Sequence, residues 1–153
     1  MTAPESSQWI SLSPERLAAE RSKLAHGIEV NIFASPHDVP DAVRGYFDAG
    51  INRFVIEFRY LTDEKWDAKE GDRFLRLRVG RESKRLLGVE IDVRGLKAQA
   101  VSLWVHAPQL VTQAIDRLAK EPSLARREDN YQIAKEVISD RRKELFEALA
   151  AVG

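Results

Sequence analysis

Three patterns in this sequence point to an α+β domain of two layers, a mainly antiparallel curved sheet of about five strands packed on one face by helices. The clearest is Asp72–Arg94, DRFLRLRVGRESKRLLGVEIDVR, which reads as a β-hairpin. Leu75, Leu77 and Val79 alternate with Arg76 and Arg78. After a polar turn, Val89, Ile91 and Val93 alternate with Glu90 and Asp92, the period of two that a half-buried strand requires. A turn centred near Lys84 sets Leu77 opposite Ile91 and Leu75 opposite Val93, with Arg78 facing Glu90 and Arg76 facing Asp92 on the wet side. The second pattern is Phe54, Ile56, Phe58 and Tyr60 against Arg53, Val55, Glu57 and Arg59, which repeats the same division. The third is helical spacing of apolar residues towards both ends of the chain. The predicted order is α-β-α-β-β-β-β-α-α.

Residues 1–12 read as an N-terminal arm in which Trp9, Ile10 and Leu12 dock on the body or on a second copy, and residues 13–153 as a single domain. Ser13 caps the first helix, Pro14 suits its first position, Leu17, Ala18, Leu24 and Ala25 mark its inward face, and Gly27 stops it. His26 then favours the negative end of that helix. Ile28, Val30 and Ile32 alternate against Glu29 and Asn31 in a first strand reaching Ala34. Asp38 caps a second helix in which Ala42, Val43, Tyr46 and Phe47 form the apolar stripe; Gly45 weakens it and Gly50 ends it. The next strand spans Ile51–Tyr60. If the helix crosses over between these two strands they lie parallel, and an antiparallel pair is the alternative.

The segment 61–72, LTDEKWDAKEGD, reads as a solvated acidic loop. It lacks the alternate oxygen ligands and central glycine of a calcium-binding loop. Beyond the hairpin, Val101, Leu103 and Val105 alternate with Ser102 and Trp104 in a last strand. Pro108 opens a helix carrying Leu110, Val111, Ala114, Ile115 and Leu118, and Glu121-Pro122-Ser123 breaks it. A long C-terminal helix follows from about Arg127 to Val152, and a small domain has difficulty covering such a length, so its far end is expected to meet a partner chain.

Composition bounds the function. The 24 basic and 24 acidic residues cancel, so no global field draws the chain to nucleic acid or anionic membrane. With no cysteine there is no disulfide, thiolate nucleophile or cysteine-based metal site, and a cytoplasmic location is expected. No stretch approaches the ~18 apolar residues of a membrane span, no phosphate loop or other strong catalytic motif is present, and no cofactor or metal is implied.

Three candidate sites remain. If the strands ending near Ala34 and Val105 were parallel neighbours, Ser35, His37 and Asp38 would meet His106 and Gln109 at two helix N-termini. There an anionic ligand or a catalytic proton relay would fit; the bland alternative is that Asp38 is a cap and both histidines are exposed. The hairpin turn offers a weaker nucleic-acid alternative through Arg81, Lys84 and Arg85, the cations left over once Arg76 and Arg78 take acidic neighbours. Association is the third, through Trp9, Trp104, Leu145, Phe146 and Leu149. The expected function is a non-catalytic binding or interaction protein, homodimeric, with an enzyme or small-molecule binder at the His37, Asp38 and His106 edge as the alternative.

Overall fold

The computed structural model describes residues 9–13, 38–72, 74–94, 103–122, 124 and 128–146, with the backbone alone at 72, 103–106 and 128. The helix predicted over 14–26, the strand over 28–34, Ser35, His37, Leu149 and the predicted end of the last helix beyond 146 lie outside the described residues. The predicted class holds: an α+β fold in which an antiparallel sheet carries helices on one face. Its strands are β1 (Ile10–Ser11), β2 (Ala42–Asp48), β3 (Arg53–Arg59), β4 (Trp66–Asp72), β5 (Leu75–Gly80) and β6 (Leu86–Ile91), in spatial order β1-β2-β3-β6-β5-β4. Helices α1 (Leu103–Ala119) and α2 (Glu128–Asp140) follow, and 142–146 is again helical.

The hairpin β5/β6 forms with the predicted faces but in a different register. Leu75 lies opposite Ile91, Leu77 opposite Val89, Arg76 opposite Glu90 and Arg78 opposite Gly88, and a bulge follows Arg78. The shift is two residues, so every side chain keeps its face; a slip of one would have reversed them all. Its origin is the turn. Lys84 adopts φ 62°, and the Glu64 carboxylate reaches into the loop to accept the N–H groups of Glu82 and Ser83. This closes the turn one residue earlier than a loop centred on Lys84 would. Gly80 permits that approach, since a Cβ there would collide with the Glu64 carboxylate.

The segment 42–48 is strand β2, where helical spacing predicted a helix. It pairs with β1 and over its full length with β3, Val43 opposite Phe58 and Phe47 opposite Phe54. Val43, Gly45 and Phe47 also satisfy a period of two, so the local pattern was ambiguous and sheet pairing decided it. Gly45 is required by packing: a Cβ would collide with the Leu145 carbonyl oxygen and lie 3.0 Å from the Phe54 ring. Asp48 accepts the Gly50 N–H at 2.9 Å, and Asn52 takes φ 55° in the turn to β3.

Two further expectations are corrected. Residues 66–72 of the predicted acidic loop form edge strand β4 against β5; an edge strand with one covered side needs no apolar alternation. Leu103–Val105, predicted to end a strand, open helix α1, which places Pro108 inside the helix rather than at its start. Leu103 and Ala107 stand four apart, so the alternation at 101–105 was compatible with either period. The inward face of α1 is Ala107, Val111, Ala114, Ile115 and Leu118, all buried.

Helix α1 packs on β4 and β5, and helix α2 lies against α1 and β6. Tyr131, Ala134, Val137 and Ile138 are buried, and beyond the helix Phe146 stacks on Phe54 with centroids 6.1 Å apart. Leu145 and Phe146, predicted as interface residues, are therefore core of the same chain, both 0% exposed. A polar knot pins the start of α2. Asn130 donates to the Asp38 carbonyl at 2.7 Å and to the Tyr60 hydroxyl at 2.9 Å, and accepts the Leu86 N–H at 2.9 Å. Tyr60 donates to the Leu86 carbonyl at 2.7 Å, and Tyr131 to the Lys84 carbonyl at 2.6 Å. Every buried polar atom that α2 brings to the sheet here has a partner, which is what makes its burial tolerable.

Candidate ligand-binding site

The face of the sheet away from α1 and α2 is polar. One row across it runs Arg44 on β2, Glu57 on β3, Gly88 on β6, Arg78 on β5 and Ala68 on β4; the next runs Tyr46, Val55, Glu90, Arg76 and Glu70. Gly88 leaves the middle of the first row open. Arg78 lies across that opening, and a Cβ on Gly88 would come within 3.1 Å of its Cδ and 2.9 Å of the Ile56 carbonyl oxygen.

Signs alternate along the resulting chain of charges. Arg44 donates to Glu57 at 2.7 Å, Arg78 pairs with Glu57 at 3.7 Å and donates to Glu90 at 2.8 Å, and Arg76 donates to Glu90 at 2.8 Å. Glu90 is only 2% exposed. A carboxylate so buried is stable because Arg76 and Arg78 hydrogen-bond it and Arg53 stands 4.0 Å away. Tyr46 donates to Glu57 at 3.3 Å; burial pushes its phenol up, the Glu57 charge adds to that and the Arg78 charge opposes it.

Indoles flank this chain of charges. The Arg44 guanidinium lies 4.0 Å and that of Arg59 5.2 Å from the Trp9 ring centroid, and Arg78 lies 4.5 Å from that of Trp66. Such stacking holds both guanidiniums and rings in place. Between the two tryptophans is a groove of about 260 Å³, lined also by Glu57, Arg59, Thr62, Asp63, Glu64, Arg78 and Leu87.

Most of its charges are spent within the chain. Arg59 donates to Asp41 at 2.9 Å, and Glu64 accepts from Arg85 at 2.7 Å besides capping the hairpin turn. Burial alone would raise the Glu64 carboxyl, but hydrogen bonds from Ser83 and Arg85 outweigh it and hold the group below the usual carboxylate range. Asp63 is exposed and, of the charged residues lining the groove, is the one without a hydrogen bond or ion pair among the described residues. Trp66 remains 39% exposed.

No protein-family model, no curated protein and no solved structure matches this chain.

The predicted sites fare differently. Asp38 is part of the polar knot through its carbonyl, and His106 lies in the first turns of α1, its side chain outside the described atoms, with Gln109 exposed one turn on. The parallel strands that were to bring these loops together do not occur among the described residues, where all five strand pairings are antiparallel. The hairpin cations are not the unpaired set expected. Arg81 donates to Asp67 at 2.9 Å, and Arg85 is 3% exposed, its guanidinium on Glu64, Ser83 and the Thr62 carbonyl and over the Tyr60 ring; Lys84 is exposed.

Trp9 borders the groove, and Trp104 lies in α1 with its side chain outside the described atoms. Among the described residues no three His, Asp or Glu side chains gather to hold a metal ion, and no helix is long and apolar enough to cross a membrane. The residues missed at the groove are Glu57, Asp63, Trp66 and Arg78. For Glu57 and Arg78 the available signal was Gly88, an interruption in an otherwise regular strand that marks close approach of another group.

Proposed function

We propose that this chain is a non-catalytic binding protein, homodimeric and cytoplasmic, that takes its ligand on the polar face of the sheet between Trp9 and Trp66. The single observation that carries the reading is the groove whose one uncommitted charge among the described residues is the Asp63 carboxylate, lined also by the partly exposed Trp66 indole. A cation on an apolar stem, such as an arginine or lysine side chain or a small alkylammonium, matches that pair. The carboxylate neutralises the charge and the indole covers the stem. The absence of cysteine supports the cytoplasmic assignment.

The test is tryptophan fluorescence titrated with N-acetyl-arginine amide, using sodium acetate as the anionic control. Saturable quenching by the arginine derivative, weakened several-fold by Asp63→Asn and by added salt, is the expected result. Equal response to acetate, or no change in Asp63→Asn, removes the reading.

A further inference from the structure

We propose that the homodimer forms through the outer edge of β4, by antiparallel pairing of residues 66–70 with the same residues of a second copy about a two-fold axis through Ala68. This rests on the homodimeric part of the reading above and is independent of what the groove binds. Among the described residues β4 has a neighbour on one side only, β5. The Arg81 N–H donates to the Lys65 carbonyl at 2.9 Å, which sets the phase of the β4/β5 ladder. Lys65, Asp67 and Lys69 turn their backbone groups towards β5, and Trp66, Ala68 and Glu70 turn theirs outwards. These outward groups stand on a solvent-exposed stretch, with Trp66, Asp67, Ala68 and Glu70 all exposed.

Charges on an edge strand ordinarily keep other chains away. Here their spacing does the opposite for one register. With the axis at Ala68, the hydrogen-bonded pairs are Ala68 with its own copy and Trp66 with Glu70 of the partner subunit. In the closely spaced positions between them, Asp67 faces Lys69 of the partner subunit and Lys69 faces the partner's Asp67. Moving the axis one residue, to Asp67 or to Lys69, sets Asp67 or Lys69 against itself, so the same two charges select the register and exclude its neighbours.

Small Ala68 at the axis admits close approach, and the pairing ends before the bulge between Glu70 and Asp72. The present partners, Arg81 for Asp67 and Glu121 for Lys69, are exposed pairs at 2.9 and 3.1 Å. Pairs of that kind contribute little and exchange at small cost. The two sheets would then run on as one, with the polar faces side by side and Trp66 of each groove beside the partner's Glu70.

Sedimentation equilibrium at micromolar concentration tests this. The wild-type chain sediments as a dimer. Asp67→Lys and Lys69→Asp each replace two attractive pairs by two repulsive ones and raise the dissociation constant roughly ten- to hundredfold. An equimolar mixture of the two variants forms a heterodimer, because each repulsion is then converted to attraction. That mixture also shows that neither variant has failed to fold. A wild-type dimer that neither substitution weakens overturns the β4 assignment and leaves the homodimer standing, whereas a wild-type monomer at high micromolar concentration overturns both.

Discussion

Replacing Asn130 by alanine removes the residue that ties α2 to three other parts of the chain. Its amide donates to the Asp38 carbonyl and the Tyr60 hydroxyl and accepts the Leu86 N–H, at 2.7, 2.9 and 2.9 Å, and the residue is 2% exposed. Two buried hydrogen bonds and one part-buried, at about 1 kcal/mol net each, set a figure near 3 kcal/mol, and stranding the Leu86 N–H without an acceptor moves it towards 4 kcal/mol. A domain has only about 5–15 kcal/mol in total, so the loss is a large fraction of it.

For a chain of this size the melting midpoint falls by roughly 10 °C. Urea unfolding followed by far-ultraviolet circular dichroism reads the same loss as a lower midpoint at unchanged slope, since the surface exposed on unfolding is nearly the same. Asn130→Asp serves as the shape-matched control. It retains an acceptor for Leu86 but puts an oxygen against the Asp38 carbonyl, so at neutral pH it too is destabilised. A loss under ~1 kcal/mol for the alanine variant would refute the account, because it would mean that water satisfies these groups as well as Asn130 does.

Two further predictions concern the polar face and the knot. Gly88→Ala puts a methyl group 2.9 Å from the Ile56 carbonyl and 3.1 Å from Arg78 Cδ. The expected cost is about 1–3 kcal/mol, with an altered tryptophan emission as Arg78 leaves Trp66; unchanged emission and stability would show that Arg78 does not need that gap. Burial raises the Tyr60 phenol above its ordinary value of 10.0, against the opposing effects of Asn130 and Arg85. A folded-state value above the unfolded one contributes stability that is complete below about pH 10 and is lost as pH rises beyond it. Melts across pH 9–11 should therefore show a steeper alkaline loss for wild type than for Tyr60→Phe, and parallel curves would count against it.

Much of the architecture is legible in the residues themselves. The two-face division of β3, β5 and β6 follows from a period of two, and the inward stripes of α1 and α2 follow from helical spacing, because in those segments only one period fits. Segments that satisfied two periods were settled by their neighbours. Ala42–Asp48 is a strand because β3 offers it a full ladder and Leu145 needs the space at Gly45, and Leu103–Val105 is helix because it continues into the buried stripe of α1. Strand β4 carries almost no pattern of its own, since an edge strand under one helix has little apolar surface to declare.

The groove was the least visible part. Trp9, Glu57, Trp66 and Arg78 are far apart in the chain, and no local pattern brings Glu57, Trp66 and Arg78 together with Trp9. What the sequence determined about this protein is which side of β3, β5, β6, α1 and α2 faces the core, because hydrophobic periodicity is local. Strand order, the hairpin register and the meeting of charges over Gly88 were decided only in the tertiary structure, since they depend on which elements become neighbours and on the space a missing side chain leaves.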